Sequence, residues 1–514
     1  MADANRMEIP LLDGEYWWGG VVRHGDQMPF GPDSQYAKDL YGQLDGNQGC
    51  PFLVSSRGRY VWSEEPFAFE FRNGALAIHS ARGQVDFQMG FDDLRGAYLA
   101  ACGRHFPPSG RIPDELSFTA PQYNGWIQMK WEPTQQKVLD FAQDILDHGM
   151  PPGVLMIDDM WFHSNGDWTF HAGRFPDPRA MADRLHALGF KLVVWICPYI
   201  TADTYVYRRL KERRFLLPRA GAKDEPAICR WWNGYSAMLD LLNPAAAAWF
   251  QEQMDHLVER DGVDGFKFDG GDAYTYATCD IDHGIRRPNA LNEAFGRMGL
   301  KYSLSEYRAC WKLGGHHLIQ RVRDKGHRWE AGGMADLLPT GLAQGLAGYP
   351  FTCPDMVGGG LVGDFVDPGT RIDQELFVRY CQCSTLFPIM QFSTMPWRVL
   401  DSEHLEACMR MVELKKRLAA EVLALAWQAG RTGEPIMRHM AYEFPRAELE
   451  TVRGQFMLGG DILVAPVLEP GAREKTIHFP PGLWEGDDGS VVDGPATLEV
   501  PAPLDRLPWY RRRR

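Results

Sequence analysis

The sequence predicts an α/β protein: a (β/α)8 TIM barrel flanked by an N-terminal β-sandwich and a C-terminal β-sandwich. Three observations point there. In the middle of the chain, short apolar runs alternate with helix-period segments about eight times over roughly 300 residues, as parallel strands joined by crossover helices do. No GxGxxG or Walker pattern follows any of these runs, so an open nucleotide-binding sheet is the poorer reading. On either side the period changes to alternating β segments broken by Gly and Pro. A chain of 514 residues also exceeds a single core. The expected division is a β-sandwich over 1–118, the barrel over 119–425 and a C-terminal β-sandwich region over 426–514.

In the first part, Arg59-Tyr60-Val61-Trp62 and Phe67-Ala68-Phe69-Glu70-Phe71 alternate as antiparallel strands do. Asp13-Gly14-Glu15-Tyr16-Trp17-Trp18-Gly19-Gly20 reads as a β-turn against a core Trp, or as a binding rim. Barrel strands are expected at 123–129, 153–158, 191–196, 264–269, 302–306, 321–324, 349–352 and 385–389. Helices are expected at 133–148, from the Asp177 cap with Pro178 in its first position through 188, and at 244–259, 289–298, 334–346 and 402–423. In the last part, Asp461-Ile462-Leu463-Val464-Ala465-Pro466-Val467, Lys475-Thr476-Ile477-His478-Phe479 and Ala496-Thr497-Leu498-Glu499-Val500 read as strands.

The stretch Gly262-Val263-Asp264-Gly265-Phe266-Lys267-Phe268-Asp269-Gly270-Gly271-Asp272 organises the rest. Phe266 and Phe268 alternate with Lys267 and Asp269, so both charges share one face of a strand. Burying them together is costly unless they pair or do chemistry. Gly270-Gly271 lets the chain turn sharply and leaves room beside Asp269. Barrel sites lie at strand ends, where Asp158, Asp159, Trp195, Lys267, Asp269, Arg308, Asp324 and Asp355 collect. Any one alone is more simply a cap or a satisfied ion pair; together they define a site. Trp232, in a long loop before Asn243-Pro244, reads equally as a lid or sugar platform and as a loop pinned by Trp packing. Trp17, Trp18 and Trp126 are further stacking candidates.

Several carboxylates facing one cavity suit two chemistries. Metal-dependent hydrolysis usually brings histidines, and His163, His171, His316, His317 and His327 form no HxH or HExxH pattern. Glycoside hydrolysis needs an ionised nucleophile, which a neighbouring lysine favours, and an acid that keeps its proton. Aromatic platforms and hydroxyl-binding acids and bases fit a sugar, so the second reading is preferred and no metal is expected.

The totals narrow the partners. A net charge of −13 and a pI near 5.6 argue against nucleic acid and anionic membrane. No stretch approaches a membrane-spanning apolar run, and Met1-Ala2-Asp3-Ala4-Asn5-Arg6 has no apolar leader core, so a cytoplasmic location is expected. The ten cysteines form no CxxC pair, and Cys381 and Cys383 are too close for a relaxed bridge; they are expected to be buried free thiols in a reducing compartment. A homo-oligomer is compatible with everything above.

Seven motifs resemble glycoside hydrolase family 31. They are Ile157-Asp158-Asp159-Met160-Trp161, Arg174-Phe175-Pro176-Asp177-Pro178, Leu192-Val193-Val194-Trp195-Ile196-Cys197-Pro198, Leu242-Asn243-Pro244, Asp264-Gly265-Phe266-Lys267-Phe268-Asp269, Pro354-Asp355-Met356-Val357-Gly358-Gly359 and Asp461-Ile462-Leu463-Val464-Ala465-Pro466. The resemblance implies the same three-part fold and a retaining, exo-acting hydrolysis of α-glycosides without metal or cofactor. The partner would be a small α-glycoside or oligosaccharide. The resemblance makes Asp269 the nucleophile. The family's Trp-x-Gly-Asp segment is absent; Arg321-Val322-Arg323-Asp324-Lys325-Gly326-His327-Arg328-Trp329 occupies its place. Asp324, with a Trp five positions on, is assigned as acid/base, and Asp336 is second choice. The two carboxyls of a retaining pair stand about 5–5.5 Å apart. Asp158, Asp159, Trp195, Trp232, Lys267, Arg308 and Asp355 would bind the sugar.

On the last strand the family usually offers a His after Pro-Ile-Met; here Gln391-Phe392-Ser393 follows Pro388-Ile389-Met390. A Lys two positions before the nucleophile is similar to α-galactosidases of related barrels. Phe266-Lys267-Phe268-Asp269, the Arg308/Asp324 spacing and Pro354-Asp355-Met356 are similar to the myogenesis-regulating glycosidase branch, which is α-galactosidase-like. The resemblance leans to an α-galactoside over an α-glucoside or α-xyloside. A transglycosylase of the same family and a catalytically inactive sugar-binding barrel are the alternatives.

Overall fold

Eight parallel strands form the middle of the molecule: β1 Gln122–Asn124, β2 Val154–Ile157, β3 Lys191–Ile196, β4 Gly265–Phe268, β5 Leu304–Tyr307, β6 Ile319–Arg321, β7 Thr352–Cys353 and β8 Gln391–Phe392. They belong to a computed structural model that describes residues 6–367 and 369–513. Neighbours pair in chain order from β1 to β7, and β8 pairs with β1. The chain around β7 and β8 closes the ring: Ile389 N–H donates to the Thr352 carbonyl at 3.2 Å, and Val357 N–H to the Gln391 carbonyl at 2.7 Å. Strands buried on both faces read as unbroken apolar runs, as 192–196 does.

The crossover helices start where the sequence caps them. Thr134, Asp177 and Asn243 side chains accept from backbone N–H groups at the starts of Gln135–Asp147, Pro178–Ala187 and Pro244–Asp261. The last of these ends on Gly262 at φ 78°, and Val263-Asp264 leads straight into β4.

The connection from β3 to β4 is long and carries its own structure. Tyr199–Thr201, Cys229–Trp231 and Gly234–Met238 form a small antiparallel sheet, with a hairpin of Pro218–Arg219 and Ala222–Pro226 beside it. A disulfide ties Cys229 of this insertion to Cys279, just past helix Ala273–Thr278. This corrects the expectation that every cysteine is a free thiol. The other eight, Cys381 and Cys383 among them, are free and buried.

Two four-stranded antiparallel sheets precede the barrel, and Arg59–Ser63 and Ala68–Arg72 are strands of them. Trp17 and Trp18 lie in the buried strand Trp17–Val21, so they are core residues and not sugar platforms. A six-stranded sheet follows the barrel, with a core of its own around Met457, Leu463, Ile477, Phe479, Trp484 and Tyr510.

Some expected elements differ. Leu94–His105 is a helix packed on the N-terminal strands, with Asp93 as its cap. The strand runs Gln122–Asn124 and takes in only Tyr123 and Asn124 of 123–129, because the Asn124 side chain caps Gly125–Met129 as a short helix. Of 385–389 only Thr385 is in a regular element, as the last residue of the helix Gln374–Thr385, and the strand lies just beyond the stretch at Gln391–Phe392. A short apolar run does not distinguish buried helix from buried strand. The 402–423 helix breaks at Leu418 into Ser402–Arg417 and Ala419–Thr432. Among the described residues no helix is long and apolar enough to cross a membrane.

Candidate active site

A cavity of about 440 Å³ opens at the C-terminal ends of the barrel strands. Asp158, Asp159, Trp195, Trp232, Lys267, Asp269, Arg308 and Asp324 all line it, together with Asn233 and Arg323. Two surface clefts are larger, about 920 Å³ beside Arg410 and about 710 Å³ beside Arg214. Neither lies at the strand ends, and Arg410 and Arg214 already pair with Asp505 and Asp224.

Register builds the floor. Trp195 lies opposite Lys267, and Lys267 opposite Glu306, so three adjacent strands set these side chains in one layer of the barrel interior. Lys267 donates to Asp158 Oδ2 at 2.5 Å, and both are buried. Burial is the largest influence and opposes its charge, but Asp158, with Asp269 and Glu306 behind it, keeps the lysine pKa above its ordinary value. Lys267 is therefore paired with the carboxylate at the end of β2, not with its own strand neighbour Asp269.

Asp269 follows β4 by one residue and faces the same way as Lys267. Its Oδ1 accepts from Arg308 Nε and Gly270 N–H, each at 2.8 Å, and its Oδ2 from the Trp195 indole N–H at 3.1 Å. Burial pushes the carboxyl pKa up, but Arg308, then Lys267 and Arg321, outweigh it and hold Asp269 well below the usual carboxylate range. Gly270 and Gly271 both sit at positive φ, 66° and 62°. A Cβ on Gly270 would stand 2.4 Å from the Tyr199 ring, and one on Gly271 2.6 Å from Phe295. Only glycine turns the chain away here without displacing the wall.

Arg308 is clamped. Besides Asp269, its guanidinium donates to both oxygens of Asp272, at 2.9 and 2.8 Å, and to the Gly46 carbonyl of the N-terminal part at 2.7 Å. Its charge also lies 5.3 Å from the Trp232 ring centre. Asp272 is a site residue that strand-end reasoning missed, although it closes the same Gly-Gly-Asp turn. Asp159 accepts from Asn233 at 3.0 Å and from Met160 N–H at 2.6 Å. Burial, with the charges of Asp158 and Asp269 behind it, pushes its carboxyl up to about 7. The Asn233 contact brings the β3–β4 insertion onto the cavity, with Trp232 exposed at the mouth. Trp126 also lines the cavity, edge-on to the exposed Trp131.

Asp324 lies just past β6. Its Oδ1 accepts from Arg321 Nη1 at 2.8 Å, and its side chain is 38% exposed into the cavity mouth. Burial raises its pKa, but Arg321 and Lys267 outweigh burial and hold it below its ordinary value, while the charge of Asp269 works upward. Asp355 lies apart. It is fully buried behind Arg321, which donates to it at 2.6 Å, and it accepts from Lys325 N–H at 2.7 Å. It does not line the cavity, and its backbone is held at φ 90°. Burial and the Asp324 charge push its pKa up against Arg321. Asp336, the second choice for acid, is also buried away from the cavity, bonded to Arg23 and to Gly332 N–H. Gln391 turns into the barrel, where it donates to Glu306 at 2.8 Å and Gln122 at 2.9 Å. Among the described residues no group of three His, Cys, Asp or Glu side chains is placed to hold a metal ion.

Paired acids at the strand ends of a barrel, one ionised under an arginine clamp and one open to the mouth, define a carbohydrate-processing class of site. The model of the Glycosyl hydrolases family 31 TIM-barrel domain matches residues 119–420, and that of the family's C-terminal domain matches 433–513. The chain therefore belongs to glycosyl hydrolase family 31. It is 32% identical over 429 residues to the mouse myogenesis-regulating glycosidase, covering 81% of this chain and 60% of that protein. It is 24% identical to an α-xylosidase of Saccharolobus solfataricus, covering 98% of this chain and 70% of the relative. The fold superposes on a Flavobacterium johnsoniae family 31 dextranase complexed with glucose, with TM-score 0.84 and 20% identity, covering 100% of this chain and 67% of that one.

Proposed function

We propose that the protein is a retaining, exo-acting α-glycoside hydrolase, with Asp269 as nucleophile and Asp324 as general acid/base. One observation carries this reading: both carboxylates line one sugar-sized cavity, with Asp269 held in its charged form by Arg308 and Asp324 half-exposed at the mouth. Asp269 Oδ2 has the single, longer hydrogen bond and is the attacking oxygen. It bonds to the anomeric carbon as the glycosidic C–O bond breaks, and Asp324 gives its proton to the leaving oxygen. Asp324 then takes a proton from water, which attacks the anomeric carbon and frees Asp269. The electrostatics drive the exchange of roles. Asp269 in its charged form raises the Asp324 pKa, and a sugar that expels water from the mouth raises it further, favouring the acid. Once Asp269 is an uncharged ester, that repulsion is gone and Asp324 becomes the base.

Asp158, Asp159, Trp195, Trp232, Lys267 and Arg308 are the proposed sugar contacts. Asp355 acts behind them by orienting Arg321. An α-galactoside is the preferred substrate because Lys267, two positions before Asp269, is similar in sequence to the lysine of α-galactosidases of related barrels, and its ammonium, paired with Asp158, lies among the cavity walls. α-Glucosides and α-xylosides are the competing sugars. The Cys229–Cys279 bridge favours an oxidising compartment over the cytoplasmic location expected from the sequence.

The test is a panel of aryl α-galactoside, α-glucoside and α-xyloside, with the first-formed anomer read by NMR. The expected result is turnover of the galactoside ahead of the others, release of the α anomer, and background activity in Asp269→Asn. Turnover of glucoside or xyloside alone keeps the mechanism and overturns the sugar. Retained turnover in Asp269→Asn overturns the nucleophile, and no turnover of any leaves an inactive sugar-binding barrel.

A further inference from the structure

Among the described residues, every cation lining the cavity is matched by a carboxylate, with one exception. Lys267 is matched by Asp158, Arg308 by Asp269 and Asp272, and the Arg321 beneath the floor by Asp324, Asp355 and Glu306. Arg323 lines the same cavity and forms no ion pair among the described residues. Its hydrogen bond is a long one, 3.5 Å, to the Asp45 carbonyl of the N-terminal part. Of the charges that face it, Arg23 and Arg308 outweigh Asp324 and Asp272, so the local field at this exposed guanidinium is cationic. Such a field has room for one negative charge.

Position says which part of a ligand would carry that charge. Arg323 immediately precedes Asp324, the carboxyl that meets the leaving oxygen in the mechanism above. The cavity floor is made by buried Lys267, Asp158 and Trp195, whereas Arg323, Trp232, Trp131 and Leu361 are exposed at its rim. A sugar held against Asp269 therefore projects its leaving group toward Arg323. We infer that Arg323 is a specificity-determining residue that selects substrates whose leaving group bears an anion, a carboxylate or a phosphate, beside exposed aromatic surface. The inference rests on the glycosidase reading and adds the class of aglycone to it. A guanidinium forks onto a carboxylate with two parallel N–H bonds, which a neutral amide cannot match.

The experiment is equilibrium binding of 4-carboxyphenyl α-galactoside and of its neutral carboxamide to the Asp269→Asn chain, where turnover does not intervene. The expected result is that the carboxylate binds at least about tenfold tighter. That preference should weaken with added salt, disappear in Asp269→Asn/Arg323→Gln and be retained in part in Asp269→Asn/Arg323→Lys. Equal binding of the two glycosides overturns this inference and leaves the glycosidase reading intact. So does a preference that survives Arg323→Gln. Failure of both glycosides to bind overturns the sugar assignment and this inference with it.

Discussion

At the scale of single residues, the site is decided by which cation meets which carboxylate. Asp269 is ionised because Arg308, Lys267 and Arg321 together overcome its burial. Removing the nearest of these has a signed consequence. Without Arg308 the Asp269 carboxyl holds its proton to higher pH, and in its proposed role as nucleophile a protonated Asp269 is inactive. Arg308→Gln should therefore move the acidic limb of the kcat/KM profile upward by about one pH unit or more, and Arg308→Lys by less. An unchanged acidic limb in Arg308→Gln would show that Asp269 does not set nucleophile ionisation. The pattern of alternation put Lys267 and Asp269 on one face, and that was legible without a fold. The partner of Lys267, Asp158, lies 109 residues earlier. No local rule selects it over Asp269.

At the scale of elements, the β3–β4 insertion shapes the cavity mouth. It brings Trp232 and Asn233 to the cavity mouth and is stapled by Cys229–Cys279 to the helix that follows the Asp269 turn. Opening that staple frees the insertion in the unfolded chain and loosens it in the folded one. Replacing both cysteines by serine should lower stability by about 2–4 kcal/mol. It should also raise KM more than it lowers kcat, because the insertion touches substrate-binding residues rather than Asp324. Thermal unfolding and steady-state kinetics with and without reductant check both. Spacing did not reveal this bridge, because 50 residues separate its ends and only the folded insertion brings Cys229 beside Cys279. The crossover helices, by contrast, were readable from their caps, since a cap is made by residues within three positions of each other.

At the scale of the whole molecule, the N-terminal part is built into the catalytic end of the barrel. Gly46 accepts from Arg308, and Gln48 Nε2 donates to the carbonyls of Tyr307, Arg308 and Arg321 while its Oε1 accepts from Gln344. One buried amide thus holds the ends of β5 and β6 in register with the loop above them. Gln48→Ala strands these carbonyls and should cost about 2–4 kcal/mol in denaturant unfolding. It should also lower kcat/KM, since the backbones carrying Arg308 and Arg321 lose their common anchor. Loss of stability with unchanged kcat/KM would confine the N-terminal part to a packing role.

By itself the sequence determined the three-part order, the parallel strands, the capped helices and the Asp269 strand with its glycine turn. Each is a matter of period, capping or backbone freedom, read within a few residues. Tertiary structure alone decided the Lys267–Asp158 pair, the Asp272 clamp on Arg308, and the retreat of Asp355 and Asp336 from the cavity while Asp324 stays in it. It also decided the Asn233 contact with Asp159 and the unpaired charge of Arg323. The physical reason is common to all of these: closing a barrel brings strand ends from eight places in the chain onto one rim, and charge pairing depends on which ends become neighbours.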